Sequence, residues 1–262
     1  MRAGRASVAS HMSRALLYVT GASRGIGRAL VESCPWPDAR IVGVSRRAPE
    51  RPPGISPYEH LTADLSDAKG WAALDAALAR DLAGFAGERA ALVHAAGTLT
   101  PIGFAGEVDP DAYARNVLLN SAAPQIVGDA FLRHAARTRA RCDLVFIGSG
   151  AARHAYEGWS SYGAGKAACD QWTRTVGAEQ ARRGGRVRVL CVAPGVVETA
   201  MQAEIRATPD AAFPERARFE ALFEEGALRR PADVAGDLWR LLEGDFENGA
   251  VLDLRDLAAA AR

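Results

Sequence analysis

Residues 15–27 read Ala15-Leu-Leu-Tyr-Val-Thr20-Gly21-Ala-Ser-Arg24-Gly25-Ile-Gly27, an apolar run followed by a turn with three glycines, and Arg28-Ala-Leu-Val opens a helical pattern behind them. A short apolar run bounded by glycine reads as a buried strand. Strand, glycine-rich turn and helix together aim backbone N–H groups and the positive end of a helix at one point, where a phosphate fits. Gly21 and Gly25 permit the turn and a close approach, and Gly27 lets the helix pack tightly on the sheet. An ordinary strand-to-helix turn is the competing reading of the same residues.

The pattern continues outward from this unit. Arg40 to Ser45 is a second apolar strand, Tyr58 to Ala63 a third, Arg89 to Gly97 a fourth, Cys142 to Ile147 a fifth and Arg186 to Ala193 a sixth, with Ala250-Val-Leu-Asp-Leu closing the set. Between them, Trp71, Leu74, Leu78 and Leu82 recur at helical spacing, as do Val234, Leu238, Leu241 and Leu242. Asp111 to Arg139 reads as one or two helices with Pro124 inside. Arg51-Pro-Pro-Gly is a loop, and residues 199–226 form a charged segment whose apolar members include Met201, Ile205, Phe213, Phe219, Leu222 and Phe223. Such a segment after a sheet edge covers a pocket or packs as a surface helix pair. Alternating strands and helices predict an α/β fold, a single-domain Rossmann-type doubly wound parallel sheet over residues 14–262, flanked by helices on both faces.

Composition narrows the class. With 262 residues, 48% of them hydrophobic, the chain has ample material for one large core. Its formal net charge of +1, with acids and bases interspersed, leaves no basic stripe for a phosphate backbone, so nucleic acid is not expected as a partner. Cys34, Cys142, Cys169 and Cys191 are scattered without a Cys-x-x-Cys pair, which indicates neither a disulfide framework nor a zinc site. No apolar run approaches the ~18 residues that a membrane span needs, and a cytoplasmic location with reduced thiols is the expectation. Residues 1–13 read as a disordered leader or a cloning remnant, with Met12 available as a second start.

The chemistry points to Ser149 and Tyr162-Gly-Ala-Gly-Lys166. On a helix, Tyr162 and Lys166 share a face one turn apart. A free phenol titrates near pH ~10, and a neighbouring ammonium favours the phenolate, which suits a tyrosine for exchanging a proton with a substrate oxygen. Lys69 and Lys166 are the only lysines in an arginine-rich chain. An ammonium, unlike the planar arginine fork, is a compact charge with three rotatable donors. An interfacial tyrosine and a solvated lysine at helical spacing are the alternative. Pro124 cannot bond the carbonyl of Asn120, and the freed acceptor singles out Asn120 over Asn116 as a place to hold a water. At the end of the second strand, where a dinucleotide fold usually carries an acid for the ribose, the chain has Ser45, Arg46 and Arg47. With Arg24, the two arginines would bind a 2′-phosphate, which favours NADP(H) over NAD(H); an ordinary surface arginine pair in an arginine-rich chain is the alternative. Asp64, after the third strand, could bond an adenine edge. His94 reads as a packed or cofactor-side histidine, since no ligand-spaced partner accompanies it.

Thr20-Gly21-Ala-Ser-Arg-Gly25-Ile-Gly27, Asn120, Ser149, Tyr162-x-x-x-Lys166 and Pro194-Gly195 stand in one order, and the chain resembles the short-chain dehydrogenase/reductase family over roughly residues 14–256. The resemblance implies that Tyr162 is the acid-base, that Lys166 lowers its pKa and holds the nicotinamide ribose, that Ser149 polarises the substrate carbonyl, and that Asn120 keeps the water of a proton relay. It also implies a cofactor lying along Gly21, Ser23, Arg24, Gly25, Ile26, Gly27, Arg46, Asp64, Leu65, Ala96, Gly97, Pro194, Gly195 and Val197, with Thr199 at its carboxamide. His94-Ala95-Ala96-Gly97 departs from the family's Asn-Asn-Ala-Gly and puts some loop-bracing contacts in doubt. Tyr156, the competing phenol, has Ser160 four residues on, not lysine.

Within the family, the residues from Gly158 to Ala168 and from Glu198 to Arg206 look most like the sepiapterin reductase and benzil reductase branch. That branch implies NADPH-dependent reduction of a ketone, or of one carbonyl of a vicinal pair, on a small-molecule substrate. The family implies a homodimer or homotetramer, for which the small face at Ala164, Ala167 and Ala168 has room. Two other classes compete. A cofactor-binding regulator without turnover would usually show a broken Tyr/Lys pair. A serine hydrolase would need glycines where Ile147 and Ala151 stand.

Overall fold

In the computed structural model the protein is described over residues 13–49 and 57–260. The loop at Arg51 and nearly all of the expected leader lie outside the described residues. β1 (Ala15–Thr20) is buried along its whole length, as a strand covered on both faces must be. α1 (Gly25–Glu32) begins three residues before the expected Arg28, so Gly25 to Gly27 supply its first turn and the N–H groups that have no acceptor within the helix. β2 (Ala39–Ser45) and β3 (Tyr58–Thr62) follow. α2 (Ala68–Leu82) is capped by Asp67, whose carboxylate accepts from the backbone N–H groups of Lys69 and Gly70.

After β4 (Arg89–His94), the segment expected as one or two helices is divided in three: α3 (Pro110–Val117), a π-helical turn over Leu118–Ala122, and α4 (Ala123–Ala135). Pro124 is the reason. Its ring removes one helical donor, and the turn before it widens until the Ala123 N–H reaches back to the Leu118 carbonyl. β5 (Arg141–Ile147) leads into α5 (Ser160–Arg183), which ends at Gly184 in the left-handed conformation. β6 (Val187–Ala193), α6 (Ala200–Arg206), α7 (Arg216–Glu224), α8 (Pro231–Glu243) and β7 (Val251–Asp253) complete the order, and an additional α9 (Leu254–Ala260) follows the last strand.

The seven strands pair in parallel in the order β3-β2-β1-β4-β5-β6-β7. Alternation along each strand sends its side chains to two cores. Leu16 and Tyr18 pack with Leu74, Leu78 and Phe131 under α2, α4 and α5, while Leu17 and Val19 pack with Leu30, Leu238 and Leu242 under α1 and α8. The sheet winds outward in both directions from β1 and β4. Between their carboxyl ends lies the crevice in which open α/β sheets bind ligands. A third, smaller cluster of Leu99, Trp159, Tyr162, Ile205, Phe213 and Phe219 sits beyond that edge and holds α6 and α7 against it.

Candidate active site

The crevice is a cavity of ≈ 720 Å³ that runs along the carboxyl edge of the sheet. Gly21, Ser23, Arg24, Gly25, Ile26 and Gly27 line it after β1, Arg46 after β2, and Asp64 and Leu65 after β3. Ala96 and Gly97 line it after β4, Ser149 after β5, Tyr162 and Lys166 from α5, and Pro194, Gly195, Val197 and Thr199 after β6. Every residue expected at the site meets in this one space except Asn120.

Parallel strand ends explain the meeting. The last residue of β5, Ile147, offers its carbonyl to the Nζ of Lys166 at 2.7 Å, which ties α5 to the strand that delivers Ser149. That nitrogen also stands 5.7 Å from the Tyr162 ring centroid. Ser149 caps a short 3-10 turn, and its hydroxyl oxygen accepts the Ala151 N–H at 3.2 Å. The Ser149 proton is therefore left to donate into the cavity. Tyr162 is 7% exposed, with Trp159 edge-on to its ring at 5.7 Å. Trp159 in turn stacks on Phe213 at 4.6 Å, so the phenol works against a rigid aromatic wall.

Asn120 lies beneath this surface, 2% exposed. Its Oδ1 accepts the Thr98 N–H at 3.1 Å, and its Nδ2 donates to the Thr98 carbonyl at 2.7 Å and to the Asn116 Oδ1 at 2.8 Å. Asn116, fully buried, donates onward to the Thr100 carbonyl at 2.9 Å. The pair braces the loop after β4, a task that sequence reading had not given to Asn116. The carbonyl that Pro124 frees on Asn120 receives the Cys169 thiol at 3.5 Å, from the helix that carries Lys166. A Cβ on Gly165 would stand 2.7 Å from the Asn120 Cβ, so a glycine is what lets α5 reach the π turn.

His94 shows how the loop is held without the family's asparagines. Thr20 Oγ1 accepts the Ala96 N–H at 3.2 Å and lies 3.0 Å from His94 Nδ1. Nε2 of the same ring is a buried atom with no partner among the described residues. Burial, with the Lys166 charge adding to it, pushes His94 down to about 3, so the ring is neutral. Among the described residues no group of His, Cys, Asp and Glu is arranged to hold a metal ion.

At the other end, Arg24, Arg46 and Arg47 are exposed beside the cavity and form no ion pair among the described residues. Ser45 is already used: its hydroxyl donates to the Arg47 carbonyl at 2.7 Å and stands 3.0 Å from His60 Nε2, which shapes the turn that presents the arginines. Burial raises the Asp64 carboxyl, but hydrogen bonds from Ser66 and the Arg46 charge outweigh it and hold the group below the usual carboxylate range.

The glycine cradle fits a dinucleotide. A Cβ on Gly21 would lie 2.8 Å from the Ala96 nitrogen, and one on Gly27 would lie 2.4 Å from the Gly21 carbonyl. Side chains there would collide with neighbouring backbone, so the two glycines are what let the turn pack tightly against the loop after β4 and against the start of α1, the compact turn at a helix N-terminus that suits a dinucleotide's phosphates. A doubly wound sheet with such a cradle at its switch point, and a Ser/Tyr/Lys set beside it, is the architecture of a dinucleotide-binding oxidoreductase. The chain belongs to the short-chain dehydrogenase family, whose model matches residues 15–210. Among its relatives, benzil reductase ((S)-benzoin forming) of Bacillus subtilis is 34% identical over 244 residues, covering 92% of this chain and 98% of that protein. Sepiapterin reductase of Xenopus laevis is 30% identical over 274 residues, covering 96% and 99%. The crystal structure of KRED1-Pglu enzyme matches with a TM-score of 0.74 at 27% identity, over 90% of this chain and 99% of that one.

Proposed function

We propose that the protein is an NADPH-dependent carbonyl reductase that converts a ketone, or one carbonyl of a vicinal dicarbonyl, to the alcohol. The observation that carries this reading is the convergence of Ser149, Tyr162 and Lys166 on the cavity that also holds the glycine cradle. When bound, a reduced nicotinamide supplies the hydride that the carbonyl carbon accepts. The chain supplies alignment and the proton. Ser149, its oxygen already engaged by the Ala151 N–H, donates to the carbonyl oxygen. Tyr162 gives its phenolic proton to that oxygen as the C–O double bond becomes a C–O–H single bond. One of the three Lys166 donors is committed to Ile147, and the other two are free for the nicotinamide ribose and for the phenol's side of the site. Asn120 and Asn116 hold the loop that backs Lys166.

NADPH, and not NADH, is the cofactor in this reading because Arg24, Arg46 and Arg47 surround the place of the adenosine ribose, where a 2′-phosphate pairs with cations. The names of the Bacillus and Xenopus relatives support a vicinal or pterin-linked carbonyl as substrate. We further propose a cytoplasmic homodimer or homotetramer, a reading supported by Ala164 and Ala167 on the exposed face of α5, where a second helix has room to pack closely. Separately, among the described residues no helix is long and apolar enough to cross a membrane.

The test is NADPH oxidation by the purified protein with benzil, sepiapterin, aliphatic diketones and simple ketones, repeated with NADH and with Tyr162→Phe. Turnover that prefers NADPH and falls by about 100-fold or more in the variant, with NADPH binding retained, is the expected result. A protein that binds NADPH yet reduces nothing on the panel would be a regulator, and the proposal would be lost.

A further inference from the structure

The substrate end of the cavity has an apolar wall with one buried amide in it. Val196, Met201, Phe219 and Leu222 line that wall, and Gln202, from the first turn of α6, stands among them. Gln202 is 6% exposed, and its Oε1 is buried with no hydrogen-bond partner among the described residues. An unpaired amide among hydrocarbon side chains destabilises a fold, and buried polar groups are otherwise almost always satisfied. Ile205, three residues on, packs in the same cluster as Tyr162 and Trp159, so the α6 face that bears Gln202 closes the cavity beside the catalytic phenol. As placed the unpaired atom is an acceptor, and a half-turn about the last side-chain bond puts the amide N–H in its position, so a substrate acceptor at this point pairs with the amide whereas bulk hydrocarbon leaves it unpaired.

We infer that Gln202 is a specificity-determining residue: its amide N–H donates to a second oxygen of the substrate, on the carbon next to the carbonyl that Ser149 and Tyr162 hold. This rests on the reductase reading above and deepens it. Ser149 and Tyr162 both direct donors at one oxygen, so they have none for a neighbour. The amide turns either way about its last bond and offers its donor to an acceptor-only group such as a ketone oxygen. A hydrogen bond there also draws electron density from the adjacent carbon that receives the hydride. Vicinal dicarbonyls therefore gain both binding and reactivity from Gln202, and simple ketones of the same shape do not.

The experiment compares benzil with deoxybenzoin, which has the same two phenyl rings and a methylene in place of one carbonyl. Steady-state kcat/KM with NADPH is measured for the wild type, Gln202→Leu and Gln202→Glu. A diketone is intrinsically more reactive than a ketone, so the readout is the change in the benzil-to-deoxybenzoin ratio between proteins. In Gln202→Leu the ratio is expected to fall about tenfold or more, through the benzil value. Gln202→Glu, whose carboxylate accepts but does not donate, is expected to lose benzil activity as well. If Gln202→Leu fails to fold, Gln202→Met, similar in volume and more adaptable, takes its place. A ratio within about twofold of wild type in the apolar variant, or wild-type benzil reduction by Gln202→Glu, overturns the inference and leaves the reductase reading intact. A wild type that reduces other carbonyls of the panel but no vicinal dicarbonyl overturns the inference alone, whereas one that reduces nothing on the panel overturns the reductase reading, and the inference falls with it.

Discussion

Acidification is expected to unfold this protein through one side chain above the rest. In the fold, His94 is neutral with its pKa pushed down to about 3, whereas a solvated histidine titrates near 6.5. The folded value is the depressed one, so between these two points the unfolded chain binds a proton that the native state refuses. Stability from this residue is then fully present above about pH 6.5 and is lost as the pH falls towards the folded pKa. Between about pH 7 and about pH 5 the loss is about 2 kcal/mol. The structure gives the reason in burial: the ring is enclosed, its Nε2 has no partner among the described residues, and a second proton would place a charge near the Lys166 ammonium. Urea unfolding of the wild type and of His94→Asn, at intervals from pH 7 to pH 5, isolates the term because the carboxylates titrate alike in both proteins. The wild type should lose about 2 kcal/mol more than the variant over that range. Parallel curves for the two proteins would refute the reasoning.

Cofactor choice and helix docking can be probed the same way. Replacing Arg46 and Arg47 together with alanine should lower kcat/KM for NADPH by about 10- to 100-fold while changing that for NADH far less; an unchanged preference would move the 2′-phosphate elsewhere. Gly165→Ala should destabilise the protein by about 1–3 kcal/mol, read as a lowered Tm, because the new methyl meets Asn120 at 2.7 Å. An unaltered Tm would mean that α5 and the π turn part easily.

What could be read in advance followed the chemistry of the backbone. Continuous apolar runs such as Ala15 to Thr20 declare strands covered on both faces, and glycines at fixed offsets declare a turn that a ligand approaches. The site residues after each strand were legible for the same reason, since parallel strands bring their carboxyl ends together. The longest helix was harder. The face that α5 buries is Ser161, Tyr162, Gly165, Lys166, Cys169, Asp170, Thr173, Val176 and Gly177, mostly polar or small, so no continuous apolar stripe announces it beyond the Tyr162–Lys166 spacing. The π turn needed the tertiary setting as well as Pro124, because Cys169 from α5 supplies a partner for the freed carbonyl. Asn116, Trp159 and Gln202 were out of reach for a different reason. Their roles come from neighbours far along the chain, and nothing local distinguishes an asparagine that braces a loop or a glutamine that faces a cavity.

The cavity is assembled from two separately encoded parts. The end that suits a dinucleotide is written in the loops after β1, β2, β3, β4 and β6, while the wall beyond Tyr162 owes much to α6 and α7, inserted as one continuous segment between the β6 loop and α8. That segment meets the molecule through its own small aromatic cluster, apart from the two cores that hold the sheet. Changes in residues 200–226 are thus expected to alter which substrate is accepted more than which nucleotide is used. The segment is therefore a natural unit for grafting between relatives with different substrates.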